Sequence, residues 1–418
     1  RGASGVVLIT TKEGQAGEGQ IDYQGSMSFA RPTKQLDLLN AKEHARLLNE
    51  MTAIKGQEPM FSDSEISAMD EGTDWQEAIF RDPATSQKHN LTFSGGSDDI
   101  QYLVGAGVTD KQGIVVNSGL TRYSGQINLN AQITDRLSVD ENLQITHTSQ
   151  NEAITGSKGY GSQGNLIVNI LDASPTMPIY NESGDYMMPY NHRTGGMTFD
   201  NPVFKAREYV LDHNITDIKG NVQLTYNLLE GLDFQTSFGL QNKSGEDGTY
   251  YPINSVRARP YAGSASIGRD KTMKITNDNL LKYNNTFGEV HDMDVTAGYT
   301  YEQEDVNWSG GSAQDFPSDY FTYKNLGAAG IIGDPWNGSY SWRLMSYLGR
   351  VNYTFDDTYS LSVSARADGS SKFGANSKWG FFPAAALGWT ISNESFMEDM
   401  DFISNLKLRL SYGQSGND

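Results

Sequence analysis

Residues 159–164 read GYGSQG and match the spacing of a glycine loop that cradles phosphate. That chemistry needs a strand just before the glycines and a helix just after, so that backbone N–H groups and a helix N-terminus meet the pyrophosphate. Here the polar run NEAITGSK precedes them, and the stretch reads as a surface loop. No G-x-x-x-x-G-K followed by Ser or Thr occurs, and no G-x-S-x-G, which removes the P-loop and the hydrolase elbow. The six histidines, at 44, 89, 147, 192, 213 and 291, show neither H-x-x-x-H nor H-E-x-x-H spacing. Loop carboxylates in DFPSDY (315–320) and in the stretch from Tyr180 to Pro202 lack the D-x-D-x-D-G order of a calcium loop. No Ser, His and Asp set or carboxylate pair is placed for catalysis. The expectation is therefore no catalytic residue, no metal site and no cofactor.

Aromatic residues in long polar stretches carry more information. Tyr160, Tyr180, Tyr186, Tyr190, Trp308, Trp336 and Trp342 offer flat, amphipathic faces that stack on sugars or pack against peptide side chains. Tyr160, Tyr190, Trp308 and Trp336 are the candidate ligand-binding residues. The competing reading is that such rings pack loops against one another or sit in an interfacial belt.

These residues must be held by something other than a large soluble core. The 418 residues are only 37% hydrophobic, with a mean hydropathy of -0.52. Glycine (44), Tyr (22) and Phe (17) are abundant, the palette of many strands joined by turns. A net charge of -19 argues against a nucleic-acid partner. With no cysteine there is no disulfide framework, thiolate zinc site or Cys nucleophile. No run of eighteen apolar residues occurs, so no transmembrane helix is expected. A β-barrel stays open, because its strands need only alternate residues apolar.

From residue 85 onward, segments of about ten residues alternate strictly, the length of a tilted membrane-crossing strand. RYSGQINLNAQIT sets Tyr123, Ile127, Leu129, Ala131 and Ile133 against Ser124, Gln126, Asn128, Asn130 and Gln132. NVQLTYNLL, YLGRVNYTF and TYSLSVSARA repeat the pattern. Tight turns at 95–99, 134–136, 229–231, 288–292 and 356–357 alternate with long polar excursions near 31–87, 149–213, 242–270 and 309–341. A soluble sandwich has no reason to sort its connections this way, whereas a barrel with turns on one side of a membrane and loops on the other does. Helices are expected inside the first excursion, capped by Asn40 with Glu43, Ser62 with Glu65 and Thr73 with Gln76. The fold class read from the residues is all-β, a partial transmembrane antiparallel β-barrel of about thirteen strands with short helices in extracellular loops. An odd count leaves unpaired sheet edges, at several kcal/mol per buried backbone group in hydrocarbon.

The series RGASGVVLITTKEG, LLNAKEHARLLNE, TDWQEAIFR, HNLTFSGGSDDIQYLVGAGVTDKQGIV, RYSGQINLN, SPTMPIYNESGDY, DNPV, SARADGSSKFG, WGFFPAAALGWTISNE and LKLRLSYGQSGND resembles the SusC/RagA family of TonB-dependent outer-membrane transporters of Bacteroidetes-type bacteria. The match keeps order and spacing along essentially the whole chain. The resemblance implies that residues 1–19 are the end of a plug domain and its linker. Residues 20–418 would be the N-terminal portion of a barrel of twenty-two strands. It also implies active import of oligosaccharides or peptides, a SusD-like surface lipoprotein as lid, and TonB as the source of energy. The TonB-contacting segment has no corresponding position here. A passive porin or adhesin is the alternative, and a barrel enzyme or soluble glycan-binding β protein a more distant one.

Overall fold

The computed structural model describes residues 12–155, 165–187, 199–374, 377–397, 400 and 402–416. Its strands are β1 Gly17–Ala30, β2 Ala84–Gly96, β3 Ile100–Gln112, β4 Gly119–Thr134, β5 Leu137–Asn151, β6 Val210–Leu229, β7 Leu232–Tyr251, β8 Ser264–Phe287, β9 His291–Gln314, β10 Ile331–Ile332, β11 Trp336–Phe355, β12 Tyr359–Ser370, β13 Trp379–Thr390 and β14 Lys407–Gly413. All pair antiparallel with their neighbours in chain order, and the two-residue β10 lies on β9 beside the main path. The sheet is not closed; β1 and β14 are its two ends. The reading of an all-β, partial antiparallel barrel of thirteen strands holds, with β10 as a small addition.

Strand register sorts the side chains. Opposite residues share a face, so one face runs Ile127, Leu143 and Leu240 across β4, β5 and β7. It continues through Tyr299, Tyr347 and Phe381 on β9, β11 and β13. The other face carries Asn128, Asp140, Gln223, Asp278, Glu302, Arg350 and Arg366. Between Ser341 and Tyr347 exposure alternates residue by residue, with Trp342, Leu344 and Ser346 buried between exposed neighbours. The apolar side is hereafter outward and the polar side lumenal. On the lumenal side Asn128 donates to the Lys12 carbonyl (2.5 Å), tying the segment before β1 to the wall.

Tight connections fall at one end: Asp135–Arg136, Glu230–Gly231, Gly288–Val290 and Asp356–Thr358. Asp356 and Asp357 both have positive φ (48° and 51°), the geometry that lets a hairpin turn follow the strand twist. The opposite end is less uniform than the sequence suggests. The connections 113–118 and 371–378 are short, and the strands run on into stretches read as loops. β7 reaches Tyr251, β8 starts at Ser264, β9 reaches Gln314 and β11 starts at Trp336. At 24 residues each, β8 and β9 are about twice the length a tilted strand needs to cross a bilayer. Polar residues such as Asn307, Ser309 and Ser339 stay in strand because the ladder, not hydrophobicity, holds them.

Above the bilayer the outward face of these strands would meet water, and the chain covers part of it. Residues 315–335 fold back so that Phe316 and Tyr323 bury against outward-facing Tyr250, Ala265 and Ala313. The Tyr323 ring occupies the space a Cβ on Gly248 would take. This excursion therefore lies on the outside of the wall rather than over its mouth.

The excursions 31–83 and 152–209 form a second small core. α1 Ala41–Ile54 and α2 Asp63–Ala68 have the expected capping boxes at Asn40/Glu43 and Ser62/Glu65. α3 Trp75–Ile79 is capped by Asp74 rather than Thr73, whose hydroxyl donates to the Met177 carbonyl (2.7 Å). α4 Leu166–Asp172 and α5 Pro202–Glu208 join α3, burying Trp75, Ile79, Leu166, Ile170 and Val203 together. The Trp75 indole N–H donates to the Ser174 carbonyl (3.0 Å). One Arg81 nitrogen reaches three carbonyls of the 113–118 connection, locking the hub onto the β3–β4 rim.

Lys205 of α5 is buried at 3% exposure, donating to Asn169 Oδ1 (2.7 Å). Burial lowers its pKa from 10.5 to about 8, with Arg257 adding to the effect and Asp200 opposing it. Nearby, Asp200 accepts a hydrogen bond from the Tyr209 hydroxyl and another from the Val256 N–H (2.8 Å), joining the hub to the β7–β8 connection. Between pH 8 and about 10 the unfolded hub holds more protons on Lys205 than the folded hub, so folding is favoured as pH rises. Above that range Tyr209, raised by burial, acts in the opposite sense. Hydrogen exchange corrected for intrinsic rates will show rising protection of α4 and α5 from pH 8 to 10, and a flat profile in Lys205→Met; falling protection in the parent would contradict this.

Candidate functional site

β9 and β11 pair in unbroken register from Trp336/Gly310 to Phe355/His291. Above the apolar band their lumenal positions are Glu304, Val306, Trp308 and Gly310 on β9 and Trp336, Gly338, Tyr340 and Trp342 on β11. Each tryptophan stands opposite a glycine or an acid: Trp308 faces Gly338, Trp336 faces Gly310 and Trp342 faces Glu304, while Tyr340 faces Val306. The glycines are what let the rings lie across the wall. A Cβ on Gly338 would sit 2.2 Å from the Trp308 ring, and one on Gly310 would sit 2.4 Å from the Trp336 ring.

The Glu304 carboxylate fixes the centre of this group. Its Oε1 accepts from the Trp342 indole N–H (3.2 Å) and the Tyr340 hydroxyl (3.3 Å). The Lys372 ammonium stands 4.6 Å from the Trp342 ring centroid, a cation–π contact from the β12–β13 connection. Trp308 and Tyr340 lie 6.2 Å apart, centroid to centroid. Trp342 is only 8% exposed and serves as the packed base, whereas Trp308 (41%), Trp336 (42%) and Tyr340 (51%) present open faces. Rings held flat beside a carboxylate can stack on the apolar face of a sugar or side chain while the acid accepts hydrogen bonds. Nothing in this arrangement supplies a nucleophile with its base.

Of the residues singled out in the sequence, Trp308, Trp336 and Trp342 thus come together, on strands rather than in a loop. Tyr180 and Tyr186 are elsewhere, 5.1 Å apart in the helical hub. Tyr186 donates to Glu208 Oε1 (2.9 Å) and packs on Phe204, a structural role. Tyr160 and Tyr190, and the GYGSQG stretch, lie outside the described residues. Sequence reasoning missed Tyr340, Glu304, Lys372 and the two glycines. The signal was present in WNGSYSW, where Trp336, Gly338, Tyr340 and Trp342 fall at every second position, but only once the stretch is taken as strand.

An antiparallel sheet that is apolar outward and polar inward, with strands longer than a bilayer and an aromatic wall near one rim, is part of a membrane β-barrel with a furnished lumen. The chain belongs to the TonB-dependent receptor family: residues 172–417 match the family model described as TonB dependent receptor-like, beta-barrel. It is similar to TonB-dependent receptor P3 of Formosa agariphila, 30% identical over 418 residues, covering 100% of this chain and 40% of that protein. It is likewise similar to TonB-dependent receptor SusC of Bacteroides thetaiotaomicron, at 29% identity, covering 100% of this chain and 41% of that protein. The chain thus spans about two fifths of the length of these relatives. In fold it matches the structure of the RagAB peptide transporter, with a TM-score of 0.81 at 21% identity, over 99% of this chain and 49% of the other.

Replacing Gly338 by Val will drive the Trp308 ring off the wall, because the new side chain occupies the ring's place. Collisional quenching of tryptophan fluorescence will increase; unchanged quenching and emission would show that Trp308 does not rest there.

Proposed function

We propose that this chain is the plug-proximal part of an outer-membrane importer that moves oligosaccharides or peptides inward at the expense of TonB-delivered energy. The observation that carries the reading is the wall of exposed rings, Trp308, Trp336 and Tyr340, on the lumenal face of a sheet whose other face is apolar. Residues 1–19 would be the end of the plug and its linker, and residues 20–418 the first part of the barrel. The Asn128 contact with the Lys12 carbonyl supports this, since it draws the segment before β1 toward the lumenal side. A closed barrel is what the open ends at β1 and β14 require in hydrocarbon, where each unpaired backbone group costs several kcal/mol.

In this reading cargo enters from the side of the long excursions, beneath a SusD-like lipoprotein lid, and rests on the rings near the rim. Stacking holds it without a covalent step; the chain moves its cargo and does not transform it. Two relatives are themselves named as TonB-dependent receptors, and one structural neighbour is described as a peptide transporter, which supports import as the class of activity. Tyr160 and Tyr190 remain part of the proposed binding set through their place in the sequence, and outer-membrane lipid is the surrounding solvent.

The test is uptake by cells carrying the full-length protein. Deleting TonB will abolish uptake, whereas a passive porin would keep it. The Trp308→Ala/Trp336→Ala variant, still migrating as a heat-modifiable folded barrel, will bind cargo about tenfold more weakly, since two stacking contacts are lost. Uptake that survives loss of TonB, or binding indifferent to both rings, would overturn the reading.

A further inference from the structure

On the side of the tight turns the outward face ends in one register row of rings. Phe287, His291, Phe355, Tyr359 and Trp389 follow one another across β8, β9, β11, β12 and β13. Neighbours in the row pack together: the His291 and Phe355 centroids lie 5.0 Å apart, and those of Tyr359 and Trp389 lie 6.5 Å apart with the rings 8° from parallel. Amphipathic rings at the end of an apolar wall mark a bilayer boundary. Their apolar bodies sit in hydrocarbon, and a Tyr O–H or Trp N–H is left to donate to headgroup oxygens.

At Tyr359 and Trp389 both donors are already taken. The connection 391–406 joins β13 to β14 at this end and is far longer than the tight turns beside it. It is tied to the β11–β12 turn, where the Thr390 N–H donates to the Thr358 carbonyl (2.8 Å) and the Asn393 amide to the Asp357 carbonyl (3.2 Å). Glu394 Oε1 then accepts from the Tyr359 hydroxyl (2.5 Å) and from the Trp389 indole N–H (2.9 Å). Those two hydrogen bonds, that of Tyr359 foremost, hold the Glu394 carboxyl below the usual carboxylate range, so it stays ionised at neutral pH. No cation pairs with it among the described residues. Lys407 and Arg409, which follow on β14, stand opposite Thr390 and Gly388 on the lumenal face. Asp356 and Asp357 of the adjoining turn add negative charge rather than offset it. The belt here presents an acceptor where such rings ordinarily present donors.

On the hydrocarbon side of the same two rings lies a depression of about 460 Å³, lined by Tyr353, Leu361, Leu387, Trp389, Leu408 and Leu410. Tyr359 and Trp389 thus serve twice, as the water-side rim of an apolar groove and as the clamp on a carboxylate. The groove and the acid together define an amphiphile with its chain toward the bilayer centre and its positive charge at the boundary. An anionic headgroup would meet Glu394 with like charge, and an uncharged one would leave the carboxylate without a counter-ion. A primary ammonium both neutralises the carboxylate and donates to it.

We propose that Glu394, held by Tyr359 and Trp389, is the headgroup site for an aminophospholipid of the leaflet on the side of the tight turns, with one acyl chain lying along Leu361, Leu387, Leu408 and Leu410. The site rests on the membrane location of the barrel but not on TonB coupling or on the aromatic wall. A lipid held there would fix the long 391–406 connection at the membrane surface, where β13 ends and β14 begins.

The test uses full-length protein purified from membranes and delipidated, titrated by native mass spectrometry. The probe is dioleoyl phosphatidylethanolamine, compared with its N-acetylated form, which keeps phosphate and chains but loses the ammonium, with phosphatidylglycerol, and with chain-free glycerophosphoethanolamine. One charge pair at a membrane surface is worth about fivefold in affinity, so the parent will prefer the ethanolamine lipid to its N-acetylated form by about that factor. Glu394→Gln, which still accepts from Tyr359 and Trp389, will lose the preference. Asp294→Asn, a lumen-facing change of the same charge, will keep it. A parent without the preference, or a Glu394→Gln variant that retains it, would overturn the proposal. So would displacement of the lipid by equimolar glycerophosphoethanolamine, which would mark a free-amine site, or phosphatidylglycerol binding raised by calcium to the ethanolamine level, which would mark a metal bridge. Import will continue in Glu394→Gln, so headgroup preference and uptake report separately on this site and on the transport reading.

Discussion

In a hydrocarbon environment a backbone N–H or C=O finds no water, and every one must pair within the protein. That constraint explains most of this chain. It makes antiparallel neighbours in chain order the economical solution, and it forces a period of two on the side chains, one face for lipid and one for the lumen. The chain meets it with little apolar residue overall, because a barrel wall needs only one apolar residue in two. The same constraint bears most heavily on β1 and β14, the two ends of the open sheet.

Where the bilayer ends, the constraint relaxes and the chain changes strategy while keeping its ladder. β8, β9 and β11 continue upward with hydroxyls and amides on the outward side, and small residues appear where large rings need room. Glycine in a strand ordinarily weakens it. Here Gly310, Gly338 and Gly248 each lie beneath a ring, so the cost is offset by aromatic packing across the strand pair. The lumenal rings make an open aromatic surface, whereas the outward Tyr323 makes a dry patch that covers the wall. Both come from one rule, a bulky residue opposite a bare one, applied on opposite faces.

The membrane-spanning half of the fold was legible in the sequence because lipid punishes any break in alternation. The segments around 123–133, 221–229 and 347–355 became strands with the faces read from their residues. The capping boxes at Asn40 and Ser62 were equally plain, since both depend on residues three apart. What could not be read was the extension above the membrane. Between 302 and 310, and between 336 and 342, polar, glycine and aromatic residues look like loop, and only pairing with a partner far along the chain makes them strand. The site suffered for the same reason. Trp308 and Trp336 were picked out by type, but the Glu304 that orders the group and the glycines beneath it were invisible until β9 and β11 were in register. Asp74, rather than Thr73, caps α3 because Thr73 is drawn away by the Met177 carbonyl, a partner over a hundred residues distant.

The central claim is that successive residues of one strand see lipid and lumen in turn. These 418 residues hold no cysteine, so a single cysteine can be placed among them for spin-labelling, once any cysteine elsewhere in the full-length protein has been replaced by serine. Labels at 221 through 226 of β6 in the full-length protein, reconstituted in bilayers, will show oxygen accessibility peaking at 222, 224 and 226. Accessibility to a water-soluble nickel chelate, or spectral immobilisation against lumenal contacts, will mark 221, 223 and 225. A profile without a two-residue period, or with water accessibility on both sets, would contradict the account.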